Sequence, residues 1–596
     1  MPSNRPHRRI ALARAVAAAL IAAPVCWLVA GTLTDATGTQ GATPTSNFLN
    51  DPDRLVFITA HWRDRAELVR IASHFQHVQI DEKAHTAKVE ANYDDLRALR
   101  RAGVRFEIDD EATAKMRDVE AELAMATETK LHYKGLRTAE SIPNYACYRT
   151  VEETYATMNR LAAQRPSMAS VIDIGPSWTW TKTAGAQGYR MRVLRVNNTA
   201  TDAKFLNKQN MVVLAAIHAR EYTTAELVTR FSEWLLDRYG VDQEATWLVD
   251  NFRFHFILQA NPDGRKKAES GISWRKNTNT DNGACSANNY GVDLNRNWSW
   301  RWGQVPDGSS SNPCAVNYRG TRTASEPETT AAMRYIVGTR GSDGVYRGGV
   351  LPDQRTDNGA APTGYPGIFL DIHSFSRLVL WPWSSTSAVS PNAGALQTLG
   401  RRLAYFNNYQ PKQWIGLYPA DGTNTDTVYG LTGAPSYTIE LGQAFFESCS
   451  TFESTTYPQN LAALKYAART LGAPYWYPRG PDTTGISRSA ASVKRGTYFT
   501  VSAWVDDTRF NQSQGAEPVQ NITEARLYLD SRPWVAGNTS FVMRPGDGAF
   551  NSPREHVYLS IPTGNLALGT HYAFVRGLDA SGAGGTPQAV YFTVTQ

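Results

Sequence analysis

The sequence predicts an α/β protein: a mixed central sheet flanked by helices, a small α/β sandwich ahead of it, and an all-β sandwich behind. Three observations carry that reading. Across residues 145–473, short apolar runs alternate with segments of helical spacing, as in a parallel or mixed sheet covered by helices. Upstream, residues 55–109 read in the order βαββαβ, a split βαβ arrangement. From Pro474 onward, short alternating strands are separated by clusters of Gly, Pro, Asn and Asp, the texture of a sandwich.

The chain starts with Arg5, Arg8 and Arg9, followed by an apolar segment over residues 15–30. This is the composition of an export signal, expected to span residues 1–31. Arg14 shortens the uninterrupted apolar run, which favours a cleaved leader over an uncleaved anchor. In the first sandwich, residues 55–58 read as a strand, 66–75 as an amphipathic helix and 77–80 with 87–90 as a strand pair. A second helix (93–102) and a last strand (104–108) complete it. The charged stretch 110–130 is a connecting helix or an exposed linker. In the middle region, strands are expected at 189–196, 211–217, 252–260, 367–373 and 436–441, with a helix over 223–239. The Gly/Pro-rich segment 343–363 reads as an inserted surface loop. In the last region, strands are expected at 498–505, 525–529, 557–561, 571–577 and 590–594, with Trp504 and Trp534 in the core.

Four of the six formal positive charges come from Arg5, Arg8, Arg9 and Arg14, because no acid precedes Asp35. The rest of the chain is close to neutral, which gives no support for binding nucleic acid or a membrane surface. After the signal, no segment is long and apolar enough to span a bilayer. Cys147, Cys285, Cys314 and Cys449 remain beyond the signal. An even number in an exported chain suggests two disulfides, with three connectivities open. Cys285 and Cys314 bracket a loop-rich segment and are the first pair, leaving Cys147 with Cys449.

His218-Ala219-Arg220-Glu221 follows the apolar run 211–217. An imidazole and a carboxylate three residues apart at a strand-to-helix turn can face one point and supply two ligands of an open zinc site. Alone, the pair reads more readily as a helix-start histidine with a first-turn glutamate. His373, at the end of another apolar run, completes a His, Glu, His set. Glu440 ends a third run, so His218, His373 and Glu440 all lie where such sheets bind ligands. Asn261-Pro262-Asp263-Gly264 has the signature of a tight turn. Trp274-Arg275-Lys276-Asn277 places cations in a loop. Gly291-Val292-Asp293-Leu294-Asn295-Arg296-Asn297-Trp298 sets an amide beside a guanidinium, a pair suited to holding a carboxylate. Tyr418 opens a flexible-looking loop, residues 418–433.

Together, in this order across about 300 residues, these motifs resemble the zinc carboxypeptidase A/B family. The resemblance implies one catalytic Zn2+ per catalytic domain, bound by His218, Glu221 and His373. It implies Glu440 as general base and acid, Arg275 as oxyanion stabiliser, Asn295 with Arg296 as clamp for a C-terminal carboxylate, and Tyr418 as a cap over the substrate. Thr425 falls at the floor of the side-chain pocket, with Asp421 and Asp426 nearby, one of which could reach it. Phe375 stands where relatives commonly carry tyrosine. Cys285 and Cys314 fall where the family often has a disulfide. The expected organisation is a signal (1–31), an inhibitory propeptide (50–110), a linker (111–143), the catalytic domain (144–474) and a β-sandwich (475–596). The expected protein is a secreted, monomeric zymogen cutting the C-terminal residue from peptides and proteins. The rivals are an enzyme of peptidoglycan stem peptides or other amide bonds, and a binding protein with a silent zinc fold.

Overall fold

The computed structural model describes residues 56–75, 78–113, 141–285, 289–356 and 359–596. The expected signal and most of the expected linker lie outside the described residues. Residues 56–108 form an antiparallel sheet of spatial order β2-β3-β1-β4 with two helices. The elements are β1 (Val56–His61), α1 (Arg65–Phe75), β2 (Gln79–Asp81), β3 (Thr86–Ala91), α2 (Tyr93–Arg101) and β4 (Arg105–Ile108). Alternation builds its core: Val56, Ile58 and Ala60 of β1 and Ala87, Val89 and Ala91 of β3 are buried, as a period of two requires. Leu68, Ile71, Ala72 and Phe75 of α1 are buried with them.

The central region contains α3 (Val151–Gln164), β5 (Ala169–Pro176), β6 (Arg190–Val196), β7 (Asn210–Ala215), α4 (Tyr222–Asp237), α5 (Gln243–Asn251), β8 (Arg253–Ile257) and α6 (Pro262–Ala268). Further along come β9 (Gly338–Arg340), β10 (Tyr346–Gly348), β11 (Gly367–Ser374), β12 (Leu378–Trp381), α7 (Ala393–Asn407), β13 (Gln410–Gln413), α8 (Asn424–Thr432), β14 (Ser436–Leu441) and α9 (Tyr457–Thr470). Among the described residues, the main sheet runs β13-β12-β14-β11-β7-β8-β6-β5. It is mixed, as expected. β7 is parallel to both β8 and β11, and β11 to β14. β5, β6 and β12 add antiparallel pairs. Every residue of β11 and β14 is buried, as are residues 211–215 of β7. Central parallel strands covered on both faces read as continuous apolar runs for this reason. The expected surface loop at 343–363 contains β10, which pairs as a hairpin with β9 just ahead of it. Disulfides join Cys147 to Cys449 and Cys285 to Cys314.

The C-terminal region has a four-stranded and a five-stranded sheet. One is built of β15 (Asp482–Arg488), β17 (Tyr498–Asp506), β20 (Arg544–Pro545) and β21 (Arg554–Pro562), the other of β16 (Ser492–Lys494), β18 (Ile522–Leu529), β19 (Phe541–Val542), β22 (Gly569–Asp579) and β23 (Gln588–Thr595). Phe499, Val501, Ala503 and Val557 pack against Leu527, Val575 and Phe592 between them. Trp504 is not part of that core. It sits on the outer face of β17, 39% exposed, with Arg554 above its ring. The alternation explains this: Trp504 is out of phase with the buried Ala503 and Val505. Trp534 packs instead against the core of the central sheet region, stacked on Phe252.

That junction is built like a core. Tyr528, Tyr572, Phe574 and Ala589 belong to the same buried cluster as the central sheet, with Phe574 edge-on to Trp247 of α5. Arg402 of α7 is wholly buried and donates to the carbonyls of Pro478, Gly480 and Arg509 and to Asp507. Tyr572 hydrogen-bonds Asp250. A buried guanidinium left without such acceptors is costly, so the two parts are energetically one body. Phe574→Ala is expected to lower the stability of the whole chain by about 3–5 kcal/mol within one cooperative transition. Denaturant unfolding followed by near-UV and far-UV signals checks this; a separate early transition of the sandwich alone would contradict it.

Candidate metal centre

Strand ends bring the candidate residues together. β7 stops at Ala215, and Ala216 turns the chain with positive φ, its amide capped by Thr224 Oγ1. His218 and Glu221 therefore lie in the turn before α4. On the neighbouring strand, Ile372 pairs with Ala215, which places His373 one step beyond the end of β7. Next along, His373 pairs in register with Glu440 of β14. Because strand side chains alternate, Asp371 and His373 share a face with Thr438 and Glu440.

Nδ1 of His218 lies 2.7 Å from Glu221 Oε1 and 3.1 Å from Nδ1 of His373. Nδ1 of His373 lies 3.2 Å from Glu221 Oε2. The three ligand atoms fall within 4.8 Å of one another, and all three residues are buried. Two imidazole nitrogens and a carboxylate converging on one point, with few donors among them, fit a zinc ion. The far side fits as well. His218 Nε2 lies 3.1 Å from Asp293 Oδ1, and His373 Nε2 lies 2.6 Å from Asp371 Oδ2, the carboxylate backing that metal-ligating histidines usually have. Neither carboxylate had been given a role from sequence. The two-residue spacing of Asp371 and His373 on one strand was the signal that could have found the first.

Charge is concentrated here. Burial works against the Glu221 carboxylate, yet His218 and His373 outweigh it and hold its pKa low. Asp293, also opposed by burial, is held well below the usual carboxylate range by Arg275 and His218. Arg275 donates to Asp293 Oδ2 through Nε at 3.1 Å and Nη2 at 2.8 Å, so this guanidinium is aimed rather than loose. Glu440 is pushed up, chiefly by burial and in part by Glu221.

The remaining predicted residues form the adjoining wall. Arg296 donates to the carbonyl of Asn295 at 2.7 Å and hydrogen-bonds the Tyr418 hydroxyl. Asn295 Nδ2 lies 3.4 Å from Asp371 Oδ2 and 3.1 Å from His373 Nε2, while its Oδ1 accepts from the Asn424 amide. Thr425 Oγ1 and Thr438 Oγ1 are 2.8 Å apart. Two expectations change. Residues 424–432 are the helix α8, not a flexible loop: Thr423 caps its start and Gly433, at positive φ, ends it. Asn261 likewise starts a helix, accepting from the Gly264 amide ahead of α6. Neither acid beside Thr425 is aimed at the pocket. Asp426 accepts from the Ser384 and Ser385 amides and the Ser385 hydroxyl, and Asp421 from the Val305 amide and the Ser309 hydroxyl. Phe375 is buried edge-on to Phe445.

A mixed α/β sheet with such a cluster at its strand ends has the form of a metallohydrolase. The peptidase M14 (zinc carboxypeptidase) family model matches residues 154–456, and the chain belongs to that family. It is a metallocarboxypeptidase, with zinc as the family's metal. Rat (Rattus norvegicus) carboxypeptidase A1 is 28% identical over 344 residues, 56% of this chain and 72% of the relative. A zinc carboxypeptidase of Saccharothrix mutabilis subsp. capreolus is 27% identical over 358 residues, 58% and 71% of the two chains. In fold, carboxypeptidase A from Helicoverpa armigera aligns with a TM-score of 0.55 at 21% identity, covering 71% of this chain and 98% of that one.

Proposed function

We propose that the chain removes the C-terminal residue of peptides and proteins at one zinc ion held by His218, Glu221 and His373, and that it is made as a secreted zymogen. The observation that carries the reading is the convergence of those three ligand atoms beside Glu440, in register with His373. Zinc, when bound, supplies Lewis acidity for water and the scissile carbonyl. Glu440 takes one proton from the attacking water at a carboxylate oxygen as the new C–O bond forms, and passes it to the amine as the C–N bond breaks. A raised carboxyl pKa suits a group that must both accept and return a proton. Arg275, fixed by Asp293, directs its charge at the developing oxyanion, a contribution typically worth about 3–4 kcal/mol. Arg296 and Asn295 receive the substrate's terminal carboxylate, and Tyr418, hydrogen-bonded to Arg296, covers it.

Latency is supported by where residues 56–113 touch the catalytic region. Ser376 donates to the Val78 carbonyl at 3.4 Å, Arg65 to the Gly416 carbonyl, and Lys412 pairs with Glu82 at 3.7 Å. Glu90 is the anion that most supports Arg220 against the cost of burial. These contacts fall beside His373, ahead of Tyr418, and between His218 and Glu221.

Glu440→Gln is expected to keep zinc but lose at least 1,000-fold in kcat, whereas His218→Ala loses the metal; metal content and peptide turnover measured together separate the two. Full activity in Glu440→Gln would refute the base. With Asp421 and Asp426 both engaged elsewhere, peptides ending in Phe or Leu should exceed those ending in Arg or Lys at least tenfold in kcat/KM. Equal rates on the four peptides would show that an acid does reach the pocket. Cutting the chain between residues 113 and 141 should raise activity at least tenfold, and an unchanged rate would remove the inhibitory role.

A further inference from the structure

Of the motif Trp274-Arg275-Lys276-Asn277, the proposed reaction uses only Arg275. Asn277 is wholly buried, and both ends of its carboxamide are engaged. Its Oδ1 accepts from the Val292 amide at 2.8 Å and the Asn279 amide at 3.3 Å. Its Nδ2 donates to Glu326 Oε2 at 2.7 Å and to Glu328 Oε2 at 3.3 Å. Its own amide donates to the Val292 carbonyl at 3.0 Å, so Asn277 holds Val292 by two hydrogen bonds. The approach is close: a Cβ on Gly291, which has positive φ, would stand 2.1 Å from the Asn277 carbonyl oxygen. Both acids are buried. Glu326 also accepts from Asn279 Nδ2 at 2.9 Å and the Ser325 hydroxyl at 2.7 Å, and Glu328 from the Trp178 amide at 2.7 Å. Carboxylate oxygens on one side and a backbone N–H on the other leave the carboxamide a single orientation.

We infer that Asn277 is a positioning residue for Arg275, an inference that rests on the oxyanion role proposed above. Covalent and hydrogen bonds form a closed ring. Arg275 leads along the chain to Asn277, two hydrogen bonds join Asn277 to Val292, and Val292 is bonded to Asp293. Asp293 closes the ring by accepting from Arg275 Nε at 3.1 Å and Nη2 at 2.8 Å. The third nitrogen, Nη1, lies 3.3 Å from His218 Nδ1, which puts the guanidinium against the metal centre. The Arg275 carbonyl is held independently, by the Ala219 amide at 3.2 Å and Asn261 Nδ2 at 3.4 Å. What the Asn277 side chain adds is the place of Asp293 relative to that loop, and with it the aim of the guanidinium. A salt bridge fixes two groups to each other; the Asn277 carboxamide ties both to the buried acids behind them. A group that must meet an oxyanion needs this second restraint, because a misplacement of about 1 Å costs on the order of 100-fold in rate.

Asn277→Ala is expected to lower kcat about 10–100-fold, with KM within about twofold of the parent and zinc content unchanged. The decisive comparison is the Arg275→Ala background. There Asn277→Ala should cost less than about threefold in kcat, because the group that it positions is gone. Equal losses in the two backgrounds would overturn the inference and leave Asn277 a packing residue, as would an unchanged kcat in Asn277→Ala alone. A full rate in Arg275→Ala itself would instead overturn the oxyanion role. If Asn277→Ala does not fold, Asn277→Ser, which is smaller than Asn and keeps a donor and an acceptor, undergoes the same comparison. Its loss should be at least about threefold with Arg275 present and should vanish without it; equal losses would again overturn the inference.

Discussion

Hydrogen bonding between three neighbouring parallel strands is the constraint from which the rest of the site follows. β7, β11 and β14 are held side by side in fixed register, so the spot beyond Ala215, the position of His373 and the position of Glu440 are set before any side chain is chosen. A slip of one residue in β11 would turn His373 and Asp371 to the opposite face together. Burial of these strands on both sides makes such a slip prohibitive, since every residue of β11 and β14 contributes to the core. Reactive groups are thus positioned by the most apolar part of the molecule.

Around that frame the charges are arranged in pairs that restrain one another. Glu221 is held down by two histidines, and Asp293 by Arg275. Arg296 is tied to Tyr418 and to the backbone of Asn295. Each long side chain has lost its rotamer freedom to a neighbour before a substrate arrives, which lowers the entropy that binding must overcome.

Much of this was legible in the sequence because the relevant signals are local. Apolar runs ending in His or Glu mark strand ends without any knowledge of the tertiary fold, and the sheet places β7, β11 and β14 side by side. What escaped notice depended on phase and on capping. Trp504 looked like core because it is large and aromatic, yet its neighbours Ala503 and Val505 take the inward positions. Residues 424–432 looked like a loop because they are rich in Thr, Asn, Asp and Gly, although Thr423 and Gly433 are cap residues at the right spacing for a short helix. The engagement of Asp421 and Asp426 was invisible for another reason. Their partners, near residues 305–309 and 384–385, are distant in sequence.

The disulfide between Cys147 and Cys449 spans 302 residues. Every candidate site residue, from His218 to Glu440, lies inside the covalent ring that it closes. The amino-terminal unit and the sandwich are the ring's two tails, attached outside it. A protease that trims either tail leaves the ring whole, and a single cut within it leaves both pieces joined through the disulfide. Connectivity alone therefore makes maturation by cutting compatible with an uninterrupted catalytic chain, whichever bond in the leading tail is cut.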